Sequence, residues 1–152
     1  MKSAFVAIGI GAAAVAVFLL YYSFNPMPAV PTMLPTKEIS VGTTTIVVEV
    51  ASDQAQEEQG LSGRTSLPEG RGMLLAFEHN GDWGIWMKDM RFPIDILFIS
   101  ETGNVVSINE NVSPDTYPQV FYPPLAVRYV LELPAGFAAA HGIAPDSVFL
   151  GL

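Results

Sequence analysis

Apolar residues are distributed in two different ways along this chain of 152 residues. Near the amino terminus they form one unbroken run, residues 4–24, which contains no charged side chain. As a helix rising about 1.5 Å per residue, this run would be roughly 31 Å long, about the thickness of the hydrocarbon core of a bilayer. From residue 37 onward the apolar runs are short and separated by Gly, Pro and polar residues. The pattern therefore predicts a membrane-spanning segment followed by a folded domain.

The charges around the first run predict its orientation. Lys2 precedes the run, and the next basic residue is Lys37. By the positive-inside rule, residues 1–24 form a single-pass anchor in the cytoplasmic (inner) membrane that contacts the lipid bilayer through residues 4–24, with the remainder outside, in the periplasm. A cleaved signal peptide, which would release a secreted protein, is the alternative because residues 14–16 (Ala-Val-Ala) match a cleavage pattern. The apolar run continues past that point and exceeds the roughly 7 to 15 residues of a signal core.

Residues 25–36 contain four prolines and no charge, which predicts an extended linker. At about 3.1 Å per residue it would be roughly 37 Å long. The following segment, residues 37–152, is long enough for one domain with its own core and too short for two.

Short apolar and β-branched runs in this domain predict mainly strands. They lie at residues 43–50, 73–77, 84–87, 94–100, 105–108, 126–133 and 147–150. Turn residues predict two hairpins, one around residues 79–82 and a second around residues 101–104. The helices are brief: residues 54–59, capped by Ser52 or Asp53 and ended by Gly60, and a second between Pro134 and Gly142.

The order of these elements predicts the fold class. Neither helix is long enough for a right-handed crossover between parallel strands, so a parallel α/β fold is unexpected. We expect a single mainly β domain with short helices (α+β), whose antiparallel sheet curls into a barrel or a sandwich.

Charge and cysteine content exclude several classes of function. Residues 37–152 carry six Lys and Arg against all 15 Asp and Glu of the chain, a net charge of −9. Because such a surface repels phosphate backbones, we expect no nucleic-acid partner. The chain has no Cys, which excludes disulfides, thiolate nucleophiles and Cys-ligated metals.

No established catalytic or metal motif is present, and no catalytic residue, metal or cofactor is therefore expected. Residues 60–64 (Gly-Leu-Ser-Gly-Arg) begin like a nucleophile elbow, but Arg64 replaces the second Gly. The two His residues, His79 and His141, fit a turn and a helix end. No H-x-x-x-H, H-E-x-x-H or EF-hand spacing occurs.

The segment 83–99 places charges among large apolar and aromatic side chains. Strand alternation puts Asp95 on the same face as Leu97 and Ile99. An acid in that position is either buried and paired or lines a pocket, because an isolated buried charge is costly. Lys88 or Arg64 is the expected partner.

The same region carries a family resemblance. The order and spacing of motifs across residues 45–150 resemble the bacterial and archaeal family called domain of unknown function 192 (uncharacterised protein family 0127). The matching positions are Gln59-Gly60-Leu61, Arg64, Leu67, Gly72-Met73-Leu74, Phe77, Trp86-Met87-Lys88, Pro93-Ile94-Asp95-Ile96, Phe98-Ile99, Gly103-Asn104-Val105 and Val130-Leu131-Glu132-Leu133-Pro134-Ala135-Gly136. The resemblance implies a small barrel-like β domain, often exported or tethered outside the cytoplasmic membrane, and it implies no activity.

Some positions depart from the family pattern. Ser62 stands where the family usually has Met, and Asp89-Met90 stands where it has Asn-Thr. Pro145-Asp146 stands where Gly-Asp is common. If the Asn-Thr pair contributes to a site, that site is altered in this chain.

The favoured function is a membrane-tethered accessory or small-ligand-binding domain outside the cytoplasm, with a small molecule, a sugar or a peptide end as ligand. A small β scaffold with an aromatic-rich loop is suited to this task. The candidate ligand-binding residues are Arg64, Lys88 and Asp95, which would orient the ligand, and Trp83 and Trp86, which would stack on it.

Two other classes of function stay open. One is an envelope hydrolase in which Asp95 and a second acid, Glu132 or Asp89, share acid and base roles. The other is a structural or assembly protein of the envelope that docks through the Pro-flanked aromatic residues 117–124.

Overall fold

Nine strands and two short α-helices make up residues 33–152, the part of the chain that the computed structural model describes. The strands are β1 (Thr36–Val41), β2 (Thr44–Ala51), β3 (Arg71–Gly81), β4 (Ile85–Trp86), β5 (Ile94–Ile99), β6 (Val105–Val112), β7 (Val120–Phe121), β8 (Val127–Pro134) and β9 (Phe149–Leu150). The helices are α1 (Gln54–Gln59) and α2 (Phe137–Ala140), and Pro114–Thr116 forms a 3₁₀ turn.

The expected anchor at residues 4–24 and the first part of the linker lie outside the described residues. Within residues 33–152, no helix has the length and hydropathy needed to cross a membrane.

Seven of the strands form one sheet in the order β6-β5-β8-β3-β2-β1-β9, and the remaining two, β4 and β7, pair with each other. The large sheet curls into a half-barrel. This confirms the predicted class, a mainly β domain with short helices. The strands pair antiparallel except for β2 and β3, which run parallel. A parallel pair needs a crossover, and residues 52–70 supply one that carries α1.

The start and end of α1 follow from its sequence, as predicted. Asp53 caps the helix, because its carboxylate accepts a hydrogen bond from Gln56 N at 2.9 Å. Gly60 ends the helix with φ of +49°, a conformation that glycine adopts without strain. None of the helical residues is buried.

The sheet carries a separate apolar layer on each of its two faces, and β5 contributes to both. Ile94, Ile96 and Phe98 pack in a layer with Leu61, Met73 and Met87, whereas Leu97 and Ile99 pack in a second layer with Ile39 and Ile46. All six residues of β5 are buried. The alternation predicted around Asp95 is therefore confirmed.

The hairpin predicted around residues 101–104 is confirmed, since β5 pairs antiparallel with β6. The hairpin predicted around residues 79–82 is wrong. Strand β3 pairs with β2 and β8, while β4 pairs with β7. After β3 the chain folds back, so that the Trp83 ring stacks on Phe77 with centroids 4.3 Å apart and Trp83 Nε1 donates to His79 O at 3.2 Å. This contact directs the chain out of the sheet.

Candidate binding cleft

A cleft of about 1210 Å³ opens over one face of the sheet. Helix α1 and residues 60–62 form one side, the end of β3 and residues 83–90 form the other, and β8 contributes one residue, Glu132. The lining includes apolar and aromatic side chains (Leu61, Leu75, Phe77, Trp83, Ile85, Trp86 and Met90) and carboxylates (Asp53, Glu57, Glu58, Glu78, Asp89 and Glu132). A concave surface that combines apolar walls with a few polar groups is the usual form of a small-molecule site.

The sheet holds Glu132 among apolar neighbours. In the register of the sheet, Glu132 lies directly opposite Met73 of β3 on one side and Ile96 of β5 on the other. Cross-strand partners project to the same face, and both neighbours belong to the apolar layer on the cleft side. Glu132 is only 5% exposed, and its Oε2 atom makes no hydrogen bond with any of residues 33–152. A buried carboxyl oxygen without a partner is rare in folded proteins.

Burial raises the pKa of Glu132 to about 7, because the charged form loses hydration. The positive charge of Arg64 opposes this effect and lowers the same pKa. Arg64 itself is bound elsewhere: Nη1 and Nη2 donate to the two carboxylate oxygens of Glu49 at 2.6 and 2.7 Å. This bidentate hydrogen bond is the main cause that lowers the pKa of Glu49. The positive charge near Glu132, that of Arg64, is thus already neutralised by Glu49.

Aromatic side chains form the wall opposite α1. Trp83 is held by its stacking on Phe77, while Trp86 at the mouth of the cleft is 48% exposed. The rings of Trp86 and Tyr117 meet in a T-shaped arrangement with their centroids 6.0 Å apart. Lys88 Nζ lies 5.6 Å from the centre of the Trp86 ring, within the range of a cation–π interaction. Trp86 therefore presents a flat apolar surface that also attracts cations.

Two hydrogen bonds join the loops at the mouth of the cleft. Ser62 Oγ donates to the carbonyl oxygen of Lys88 at 2.9 Å, and Gly63 N donates to the carbonyl oxygen of Asp89 at 2.9 Å. Asp89 has φ of +57°, in the left-handed region that Asn and Asp tolerate better than most residues. The Asn that the family pattern has at this place would meet the same backbone requirement.

Carboxylates on the rim make the cleft electronegative. Five acids besides Glu132 line it, against one lysine, Lys88, and one histidine, His79. The pKa of Glu57 is raised by partial burial and, in second place, by the negative charge of Asp53. The carboxylates of Asp53 and Glu57 are therefore close enough for their negative charges to repel each other.

The structure brings three of the five predicted site residues together, since Trp83, Trp86 and Lys88 all line the cleft. Arg64 does not line it and acts on it only through its effect on the Glu132 charge. Asp95 lies on the other face of the sheet, opposite Leu133, which belongs to the other apolar layer.

Asp95 is fully buried, and backbone N–H groups satisfy its carboxylate. Oδ1 accepts hydrogen bonds from Asn111 N at 2.8 Å and Gly136 N at 3.0 Å, and Oδ2 accepts one from Ala138 N at 2.9 Å. The expectation that Lys88 or Arg64 pairs with it is wrong. The three backbone N–H groups satisfy both carboxylate oxygens of Asp95, so the burial of this side chain needs no basic partner.

Sequence reasoning assigned Glu132 only as the second acid of a hydrolase and did not place it in the binding site. The available signal was the same as for Asp95: an acid inside an apolar strand, residues 127–134. The strand pattern cannot tell which of two such acids receives hydrogen bonds, because those donors come from distant parts of the chain.

The Pro-flanked segment 117–124 contributes to the surface beside the cleft. Tyr117 and Tyr122 are exposed, whereas Phe121 packs against the apolar layer of the cleft side and pairs with Ile85. Among residues 33–152, no three His, Asp or Glu side chains are grouped so that they could hold a metal ion.

Comparison with known proteins adds a family and two structural relatives. The model of the DUF192 family, described as "Uncharacterized ACR", matches residues 37–149. A protein of Sinorhizobium meliloti 1021, described as a candidate transcription regulator, is similar in structure with a TM-score of 0.76 and 30% identity over 80% of this chain and 97% of its own. A protein of unknown function from Novosphingobium aromaticivorans DSM 12444 has a TM-score of 0.73 and 27% identity over 81% and 91% of the two chains. No curated protein matches the chain.

Proposed function

Since the chain belongs to the DUF192 family, for which no activity is assigned, we propose that its β domain binds a small ligand in the cleft above Glu132. The observation that carries this proposal is the Glu132 carboxyl group, which is buried and lines a large cleft, and whose Oε2 atom has no hydrogen-bond partner in the described part of the chain.

An unsatisfied buried polar group costs about 1 to 3 kcal/mol, and more when it is charged. Packing alone would favour an apolar residue at this position, between Met73 and Ile96. A ligand that donates a hydrogen bond to Glu132 removes this cost on binding. The free energy that the unpaired carboxyl costs in the ligand-free domain is regained on binding, and it therefore adds to the affinity for a ligand that donates this hydrogen bond.

The aromatic wall gives the ligand a second contact. Trp83 is fixed by Phe77 and offers a rigid surface, and the half-exposed Trp86 can cover a ligand that enters beside it. Lys88 stands at the mouth next to Trp86. Arg64 tunes the charge of Glu132 without touching the ligand, and the contacts of Asp95 give it the structural task of holding α2 and β6.

Intrinsic fluorescence tests the proposal directly, because both tryptophans of the chain line the cleft. The full-length chain, kept in a non-ionic detergent because of its apolar amino-terminal run, is titrated with sugars, short peptides and small amines, alcohols and acids. A true ligand changes the emission, and Trp86→Ala weakens its binding by about tenfold or more through lost apolar contact.

The melting temperature of Trp86→Ala should stay close to that of the parent, since the side chain is half exposed. Leu125→Ala is the matched control: Leu125 is 68% exposed and does not line the cleft, so binding should be unchanged. If no compound of any class changes the emission, or if both variants weaken binding equally, the proposal is wrong.

A second candidate is an acid–base hydrolase, which the raised pKa of Glu132 favours because a carboxyl with a pKa near 7 suits general acid catalysis at neutral pH. Of the acids that the sequence suggested for a hydrolase, Asp89 also lines the cleft. The version that pairs Asp95 with Glu132 is not supported, since those residues lie on opposite faces of the sheet. Hydrolysis of a polymer that Glu132→Gln abolishes would favour this candidate over binding alone.

We also propose that residues 4–24 tether the domain to the outer side of the cytoplasmic membrane, on the strength of the uncharged run and Lys2 before it. A chain that stays in the membrane pellet after an alkaline wash, with an intact amino terminus by mass spectrometry, supports a tether. A soluble chain that begins near residue 17 would instead indicate signal cleavage.

The transcription-regulator description of the Sinorhizobium meliloti protein is not carried over to this chain. With a net charge of −9, residues 37–152 would be repelled by DNA phosphates.

A further inference from the structure

We infer that the ligand of the cleft is an organic cation, a protonated amine attached to an apolar body, whose ammonium group pairs with Glu132. The inference rests on the proposed binding function and specifies the chemical class of the ligand.

The first support is the contrast between Glu132 and the other buried acid. Asp95 receives three backbone hydrogen bonds, whereas Glu132 is also buried, with 5% exposure, and its Oε2 atom receives none from residues 33–152. Arg64, the positive group that lowers the pKa of Glu132, already forms a salt bridge with Glu49. An ammonium group has three N–H donors and a full positive charge, so it satisfies both the hydrogen-bonding and the charge requirement of Glu132.

The second support is the charge of the rim. The acids that line the opening are Asp53, Glu57, Glu58, Glu78 and Asp89, and the basic side chains among the lining residues are Lys88 and His79. Such a rim attracts cations, repels anions and adds nothing to the affinity for a neutral sugar. The rim alone would be an ordinary solvated acidic surface; its position above an unsatisfied buried carboxyl gives it a selective role.

The third support is the aromatic wall. The Trp86 ring already attracts a cation, since Lys88 Nζ lies 5.6 Å from its centre. Trp83 and Phe77 provide apolar area for the body of the ligand. Apolar walls do not suit a bare divalent cation, which needs six to eight oxygen ligands at close range. Within residues 33–152 no group of three metal-binding side chains is present.

Three probes that share a phenylethyl body test the inference: 2-phenylethylamine, 2-phenylethanol and 3-phenylpropanoate. They are titrated into the full-length chain at about pH 8, above the pKa of Glu132, with tryptophan emission as the readout. We expect the amine to bind about tenfold or more tightly than the alcohol, because a charged hydrogen bond contributes more than a neutral one, and the propanoate to bind most weakly.

Glu132→Gln preserves the shape of the side chain and removes its charge. This variant should lower the amine affinity by about tenfold or more and change the alcohol affinity by about twofold or less. Glu110→Gln is the control, because Glu110 is exposed on β6 and does not line the cleft. Lys88→Gln should raise the amine affinity about two- to fivefold, since it removes a positive charge from the mouth.

The outcomes separate the two proposals. If the amine and the alcohol bind equally and Glu132→Gln weakens neither, the cleft binds ligands but not through charge, so the inference fails and the binding function stands. If none of the three probes binds, the inference fails, and the broader titration with the Trp86→Ala control decides the binding function. If circular dichroism shows that the Glu132→Gln variant is unfolded, Lys88→Gln becomes the deciding variant. An amine affinity of Lys88→Gln that is equal to or lower than that of the parent would then overturn the inference.

Discussion

The stability of the β domain should fall as the pH rises from about 4.5 to about 7, because of Glu132. The ordinary pKa of its carboxyl is 4.5, and burial raises it to about 7 in the folded domain. Between these two values the folded state keeps the proton while the unfolded state has lost it. The unfolded state then binds fewer protons, and the free energy of unfolding decreases with pH. The contribution of Glu132 is fully present below pH 4.5 and is lost once the pH passes about 7.

The size of the effect follows from the difference between the two pKa values. A difference of 7 − 4.5 corresponds to about 3 kcal/mol at roughly 1.4 kcal/mol per unit. A domain of this size is stable by roughly 5 to 15 kcal/mol, so this one carboxyl controls a large share of the total. Arg64 limits the effect, because its positive charge favours the ionised carboxylate.

Urea unfolding of the full-length chain at several pH values between about 5 and 9 measures this contribution. The chain has 15 acids, so the quantity to compare is the difference between parent and Glu132→Gln at each pH. Because Gln cannot ionise, the parent should lose about 2.5 kcal/mol relative to this variant between pH 5 and 8, since part of the full difference is already lost at pH 5. Glu110→Gln, which changes an exposed acid, should leave the profile of the parent unaltered. Parallel profiles for the parent and Glu132→Gln would refute the reasoning, since they would mean that Glu132 titrates alike in the folded and unfolded states.

Two further predictions concern the neighbours of Glu132 and the acid on the opposite face. Arg64→Met removes the positive charge that lowers the pKa of Glu132, and it leaves Glu49 unpaired. The pKa of Glu132 should then rise, so the free energy of unfolding should keep falling to a higher pH in the same urea series. If the pH at which the free energy of unfolding stops falling does not move, Arg64 does not act on Glu132. Asp95→Asn replaces a carboxylate that accepts three backbone hydrogen bonds by an amide with only one acceptor oxygen. This variant should lower the free energy of unfolding by about 2 to 4 kcal/mol. The control Asp115→Asn changes an exposed acid and should alter the free energy of unfolding by about 0.5 kcal/mol or less. Lost ligand binding in Asp95→Asn with unchanged stability would return Asp95 to the binding site.

Strand alternation was the most informative signal in the sequence. It located β2, β5, β8 and the β5–β6 hairpin, and it placed Asp95 on one face with Leu97 and Ile99. These elements are long enough for the two-residue period to be visible, and their burial on one or both faces fixes which side each residue takes. The fold class followed from the same pattern.

Pairings that depend on distant contacts could not be predicted. A strand was predicted at residues 84–87, which contain β4, but its partner β7 has only two residues, too few for any period. These two strands pair although 33 residues lie between Trp86 and Val120. Strand β1 was missed because only Ile39 of its six residues is buried, and the proline-rich sequence before it predicted an extended linker up to residue 36. The parallel pairing of β2 and β3 was also unforeseen, because α1 is too short to resemble the crossover helix of a βαβ unit.

The different roles of Asp95 and Glu132 follow from a single step of register between two neighbouring strands. In the β5–β8 pair Asp95 lies opposite Leu133, and Glu132 lies opposite Ile96, one position further along. Because side chains alternate across a sheet, this step places the two acids on opposite faces. On the face of Asp95, the start of α2 and the end of β6 supply backbone donors that hold the carboxylate. On the face of Glu132, the end of α1 at Gly60 lies beside the carboxylate, and no group of residues 33–152 donates a hydrogen bond to Oε2. A Cβ at position 60 would lie 3.7 Å from Glu132 Oε2, in ordinary van der Waals contact with the carboxylate. The sequence pattern placed both acids inside apolar strands and favoured Asp95 for binding. Only the elements that cover each face of the sheet determine that Asp95 receives backbone donors while Glu132 Oε2 receives none from residues 33–152.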